Sequence, residues 1–153
     1  MKKSGIFFFT LFFLMLVVKP TICQNWDYSN KINADEIRPL YSVLDDENNY
    51  IVYCDFIGNI YMNDDTVKSS GGRDLIVLKF ENSGQLELYY HIKSSNNLFP
   101  GGLTTDGQNI FILGSFFENV SFPDNTEFST DGQKNLFLIS LNNNFQTQYI
   151  KHI

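Results

Sequence analysis

Cysteine is nearly absent from this chain: Cys23 and Cys54 are the only two among 153 residues. Charge is sparse, at 18% of residues, and the positive sign is the scarcer, with 11 Lys and Arg against 17 Asp and Glu. Two cysteines cannot staple a disulfide-dense secreted scaffold. A net charge of −6 lacks the basic stripe that offsets phosphate, so no nucleic-acid partner is expected. Beyond residue 23, no stretch carries apolar residues at helical spacing over three turns. Aromatic residues, by contrast, are abundant, with 15 Phe and 8 Tyr making up most of the 16%. That balance excludes a disordered acidic tail and favours one packed, strand-rich domain.

The front of the chain is a leader. Lys2 and Lys3 precede an apolar run over residues 6–18, Lys19 and Pro20 break it, and Thr21 and Cys23 stand three residues and one residue before Gln24. This is the layout of a secretory signal peptide, residues 1–23, and the run falls short of the roughly 20 residues that span a bilayer. No retained membrane span is expected, and the location is secreted or cell-surface. The alternative, a lipid on Cys23, needs a small residue where bulky Ile22 stands. Removal of the leader takes three of the 11 basic residues and none of the 17 acidic ones, leaving 8 − 17 = −9. Cys54 is then alone, so apolar burial rather than a disulfide must hold the domain. In the apolar run 50–56 it reads as a buried structural thiol rather than a nucleophile.

Self-comparison yields the strongest signal. NYIVYCDF (49–56) aligns with NIFILGSF (109–116) at an offset of 60, and Asp46 with Asp106, Ile60 with Val120, Thr66 with Thr126 and Gly72 with Gly132 keep that offset. At an offset of 61, LIVLKF (75–80) then matches LFLISL (136–141), and His91 and Ile92 match His152 and Ile153. Residues 26–32, opening on Trp26, fit 86–92 as an unmatched leading strand. Within unit one, apolar runs at 40–44, 49–56, 60–62, 74–80 and 86–92 alternate with clusters of Asn, Asp, Ser and Gly, as β-hairpins demand. Gly84 supplies the positive φ of a tight turn. The runs 75–78 and 136–139 are continuously apolar, as in strands covered on both faces. The expected fold is all-β. It comprises two consecutive four-stranded antiparallel blades of a β-propeller, with a leading strand and linker over 24–40, units at 41–92 and 102–153, and a linker at 93–101.

These residues carry a resemblance. The chain after the leader resembles the bacterial seven-bladed β-propeller repeats of the SBBP type, whose repeat has a strand ending in Gly-x-Phe, a Gly-Gly-x-Asp step, an apolar strand with Lys and a turn Gly. Gly114 and Phe116 match the first feature, as does Phe56 with Cys54 in the Gly place. Gly71, Gly72 and Asp74, followed by Lys79 and Gly84, match the rest. Unit two departs: residues 131–135 keep Gly132 but weaken the step, and Phe145 takes the turn-Gly place. The resemblance implies an incomplete propeller whose repeat core includes Phe56, Ile76, Phe80, Phe116, Phe137 and Leu141. It implies no catalytic residues and no cofactor.

The residues that could carry chemistry each have a plainer reading. His91 and His152 sit at equivalent positions, so repeat symmetry places them in separate units, without further ligands at metal spacing. The acidic turns at 45–49, 64–65 and 124–125 reproduce no defined calcium loop and read as solvated turns. Asp55 ends a strand, but Ser115 replaces it in unit two, and one carboxylate makes no glycosidase site. Asn119 heads an Asn-x-Ser sequon, which only a eukaryotic secretory pathway would use. The expected function is an exported, non-catalytic binding or scaffolding module. Its partners would be further propeller repeats or other copies of the chain, with carbohydrate or a surface protein as ligand. The alternatives are the N-terminal part of a secreted propeller hydrolase and a short self-assembling surface protein. Exported material is expected to begin at Gln24; intact-mass analysis that finds the leader retained, or a lipid on Cys23, contradicts this.

Overall fold

Runs of Val, Ile, Phe and Tyr become eleven strands and no helix among the residues described by the computed structural model, 32–62 and 65–153. The expected leader, Trp26 and the rest of the expected leading strand up to residue 31, and Asp64 lie outside these residues. Strands β1 (Asn33–Leu44), β2 (Tyr50–Met62), β3 (Asp65–Lys68), β4 (Asp74–Phe80) and β5 (Leu86–Ile92) form one sheet in the order β1-β2-β4-β5, with β3 beside β2. Strands β6 (Phe99–Thr105), β7 (Asn109–Phe116), β10 (Asn135–Asn142) and β11 (Thr147–His152) form a second, ordered β11-β10-β7-β6, while β8 (Asn119–Ser121) and β9 (Glu127–Ser129) make a separate hairpin. Every pairing is antiparallel.

The duplication reappears as register. In the first sheet Phe56 faces Asp74, Cys54 faces Ile76 and Val52 faces Leu78. In the second Phe116 faces Asn135, Gly114 faces Phe137 and Ile112 faces Ile139. Adding 60 on one strand and 61 on the other converts the first set into the second. The outer pairs follow, with a register shift between Lys79 and Phe80 and another between Ser140 and Leu141. Each sheet compensates inside one cross-strand pair: Cys54 lies beside Ile76, whereas Gly114 makes room for a larger ring. A Cβ on Gly114 would stand 2.2 Å from the Phe137 ring.

The structure corrects three boundaries. Residues 33–40, read as linker, are the front of a twelve-residue strand. Most of β1 is exposed, and Pro39 flanks one of its register shifts, so the strand lacks the alternation that marks a buried one. The gap between the apolar runs 60–62 and 74–80 contains β3, and β6 starts at Phe99, which shortens the linker to 93–98. The alignment of the first turn also changes. Pro39 pairs with Cys54 as Pro100 pairs with Gly114, which carries the 61 offset through β1 and β6. The counterpart of Asp106 is therefore Asp45, not Asp46. Asp45 Oδ1 accepts from the Glu47 and Asn49 N–H groups, as Asp106 Oδ1 does from Gln108 and Asn109.

The core shows how the sheets meet. Ile51, Tyr53, Leu75, Val77, Tyr90 and Ile92 belong to one buried cluster with Ile110, Ile112, Phe116, Phe137, Ile139 and Leu141. The period-2 alternation of strands puts the first set on one face of the first sheet. Under the 60/61 offsets, the second set corresponds to Tyr50, Val52, Phe56, Ile76, Leu78 and Phe80, the opposite face. The two sheets thus pack front to back. Cys54, Phe56, Ile76 and Leu78 form a second cluster on the back of the first sheet, with half-buried Phe80 at its margin. Phe56, Ile76, Phe116, Phe137 and Leu141 are fully buried.

Two turn positions keep left-handed backbone whatever residue occupies them. Gly84 (φ 82°) is matched by Phe145 (φ 56°), each donating its N–H back across the turn, to Glu81 O and Asn142 O. Gly58 (φ 86°) is matched by Glu118 (φ 64°). Phe145 is buried against the core, and Glu118 is exposed. A left-handed side-chain residue is strained by about 1–2 kcal/mol, while truncating a buried Phe costs about 3–5 kcal/mol. Phe145→Gly should therefore lose about 2 kcal/mol of unfolding free energy on balance, using those two magnitudes. Glu118→Gly should fall within about 1 kcal/mol of neutral, on the stabilising side. Phe116→Ala should cost about 3–5 kcal/mol. Denaturant titration of the three variants checks all of this, and an unchanged midpoint for Phe116→Ala contradicts the assigned face.

Candidate functional site

The long connections of both sheets gather at one end, and buried polar groups fasten them. Asp74, fully buried at the start of β4, accepts from Ser70 N at 2.9 Å and Ser94 N at 3.2 Å and pairs with His91 Nε2 at 2.8 Å. One side chain thus ties the 69–73 loop to the 93–98 linker. Gly71 and Gly72 are small because that linker lies on them: a Cβ would stand 2.3 Å from Ser95 O or 2.4 Å from Asn97 Oδ1. The Gly-Gly-x-Asp step is a docking joint.

The histidines repeat one arrangement in each sheet. His91 packs on Phe56 with ring centroids 5.2 Å apart, and His152 on Phe116 at 5.4 Å. In place of the Asp74 carboxylate, His152 meets Asn135 Oδ1 at 3.0 Å. His152 also stacks on Phe128 of the β8–β9 hairpin at 5.1 Å, and the two histidines are not brought together. No group of three His, Cys, Asp or Glu that could hold a metal ion occurs among the described residues.

The remaining sequence candidates also have partners. Asp55, buried at 2% exposure, takes both arms of the Arg38 guanidinium at 2.8 and 2.5 Å and Arg73 Nη1 at 3.2 Å, and Arg73 also pairs with Glu36. Asp55 in turn holds the Arg38 guanidinium above its ordinary value. Lys79, buried on β4, reaches Asn143 O at 3.0 Å, Glu87 at 3.2 Å and Asp45 at 3.5 Å, which joins turns of both sheets at the opposite end. Asp124 caps its own turn through Thr126 N, and Asp65 accepts from the Tyr89 hydroxyl at 2.6 Å. The Asn119 amide is occupied, donating to Ser95 Oγ at 2.7 Å and accepting from Ser95 N at 3.0 Å. Burial, then the Asp55 charge, pushes the Cys54 thiol up to about 12, so no thiolate forms at neutral pH.

One feature of this end has unused polar groups. A cavity of about 660 Å³ opens between the first sheet and the β8–β9 hairpin, with Thr66 and Lys68 of β3, Tyr89 and His91 of β5, and Lys93 on one side. Ser121, Asn125 and Glu127 of the β8–β9 hairpin stand on the other. The hairpin is fixed there by reciprocal Lys93–Ser121 backbone hydrogen bonds, each 2.9 Å. Sequence reasoning missed this cleft because its residues come from three separated segments. The detectable signal was two lysines, Lys68 and Lys93, in stretches rich in Ser, Asn and Gly.

Three outcomes are expected here. Asp55→Asn should destabilise the fold, since it removes the buried carboxylate that the half-exposed Arg38 and Arg73 guanidinium groups share; an unchanged midpoint in denaturant titration contradicts the network's role. Cys54 should resist iodoacetamide in the folded protein and react after denaturation, read by intact mass. For pH, burial raises the Asp45 carboxyl, but hydrogen bonds from Asn49 and Glu47 and the Lys79 charge outweigh it, and the net position is below the ordinary 3.8. Hydrogen bonds from Asn109 lower Asp106 likewise. A depressed folded value means stabilisation present above the unfolded value and lost as pH falls through the folded one. Stability should decline below about pH 4, and Asp45→Asn should flatten that decline in melting scans.

Compared with protein-family models, curated proteins and solved structures, the chain matches none.

Proposed function

We propose that the two sheets are consecutive blades of a β-propeller, and that the chain is an exported, non-catalytic module serving as a binding or scaffolding platform at or outside the cell surface. The front-to-back packing carries this reading. A sandwich made by two-fold pairing would bury the same face of each repeat and finish there. Here unlike faces meet, a heterologous contact that repeats until a ring closes or a filament grows. The front of the second sheet presents Phe99, Leu136 and Tyr149, exposed at 41, 40 and 38%, on the face equivalent to the one that the first sheet buries. The similarity to SBBP-type repeats points to the same arrangement. Further repeats or other copies of the chain are the partners such a face fits.

Light scattering of the full chain across concentrations tests the reading. Concentration-dependent association that Leu138→Asp abolishes, with the melting behaviour retained, is the expected outcome. A stably folded monomer at every concentration, with no further repeats in the downstream coding sequence, defeats the propeller proposal.

A further inference from the structure

The charge inventory of the described residues singles out the cleft between the first sheet and the β8–β9 hairpin. Seven Lys and Arg are described. Arg38, Arg73 and Lys79 are paired with carboxylates, and Lys134 and Lys151 lie over the Phe99 and Tyr149 rings at 5.4 and 5.5 Å. Lys68 and Lys93 alone have neither kind of partner, and both line the same cavity. In a chain with a large excess of acid, two lysines without an ion-pair partner line one cleft and offer positive charge to a ligand's acidic group, with Glu127 on the same lining.

The rest of the lining describes what carries that anion. Thr66 and Ser121 offer hydroxyls, Asn125 an amide, and Tyr89 an exposed ring whose hydroxyl Asp65 holds. Glu127 also lines the cavity, and it would repel a bare inorganic anion but accept from a ligand's hydroxyl groups. A peptide added as a strand needs a free backbone edge, and at the junction Lys93 and Ser121 already use theirs on each other. Charge for an acid, acceptors and donors for hydroxyls, and an aromatic face belong together in one ligand class. We propose that this cleft binds an acidic saccharide, with a uronate carboxylate received by Lys68 and Lys93, hydroxyls by Thr66, Ser121, Asn125 and Glu127, and a sugar face by Tyr89.

This gives a ligand class to the platform proposed above, resting on that reading only in taking the module to bind rather than catalyse. Calorimetric titration of the full chain with a galacturonic acid oligomer is the test, with the neutral galactose oligomer, tetraglutamate and inorganic phosphate as comparison probes. Lys68→Ala and Lys93→Ala should each weaken uronate binding about tenfold, the size of a lost charge-assisted hydrogen bond. Tenfold higher salt should weaken it as well, while Lys134→Ala leaves it unchanged. Both lysines are exposed and unpaired, so their removal should leave the melting temperature in place. No uronate binding overturns the proposal, as does binding unaffected by the lysine variants. Equal or tighter binding of the neutral sugar, the peptide or phosphate overturns it too. None of these results alters the solution size, so failure of the site and failure of the propeller reading are separately visible.

Discussion

Everything in this molecule depends on the apolar contact between the front of one sheet and the back of the next. Tyr53, Leu75 and Val77 are buried in one cluster with Phe137, Ile139 and Phe116. Among the described residues the one cysteine is free, so no covalent tie assists. A single sheet of this size would leave one face bare to water, and full burial of each large apolar side chain is worth roughly 1.5–3 kcal/mol. The interface is where two copies of one repeat become a folded unit.

Around that contact the polar groups divide by end. At one end, Lys79 spans the sheets through Asn143, Asp45 and Glu87, and Asn143 donates to Gly107 O at 3.0 Å. At the other, Asp74 and the Asp55 cluster fasten loops rather than sheets. A buried Lys or Asp is tolerated only with partners, and each of these has two or more. The result is a stiff frame in which the β8–β9 hairpin is pinned beside β5 and a cleft is held open between them.

The two repeats have diverged where symmetry does not protect a function. Asp55 with its arginines becomes Ser115, Lys79 becomes Ser140, and Asp74 becomes Asn135. Contacts that define the unit persist: the His-on-Phe pair, the turn cap at Asp45 and Asp106, and the left-handed turn at Gly84 and Phe145. Backbone geometry outlasts residue identity there because neighbouring hydrogen bonds impose it, and the burial of Phe145 offsets its strain.

Much of the fold was legible in the sequence, because strands advertise themselves through period-2 patterns and turn residues, and a repeat advertises itself through register. The all-β class, the duplication, most strands and the turn at Gly84 follow from that local information. The front of β1 did not, since an exposed edge strand needs no alternation, nor did the Asp45 equivalence, which a one-residue deletion in a turn concealed. Which face of one repeat meets which face of the next was also beyond the sequence, for both faces of β4 are apolar and either could have paired. The cleft with Lys68 and Lys93 lay further still: its residues are up to 61 positions apart, from Thr66 to Glu127. Local patterning determines that strands form and where they turn, because those choices depend on neighbours along the chain. Only tertiary packing decides which faces and which distant side chains meet, because that choice depends on shape and burial across the whole molecule.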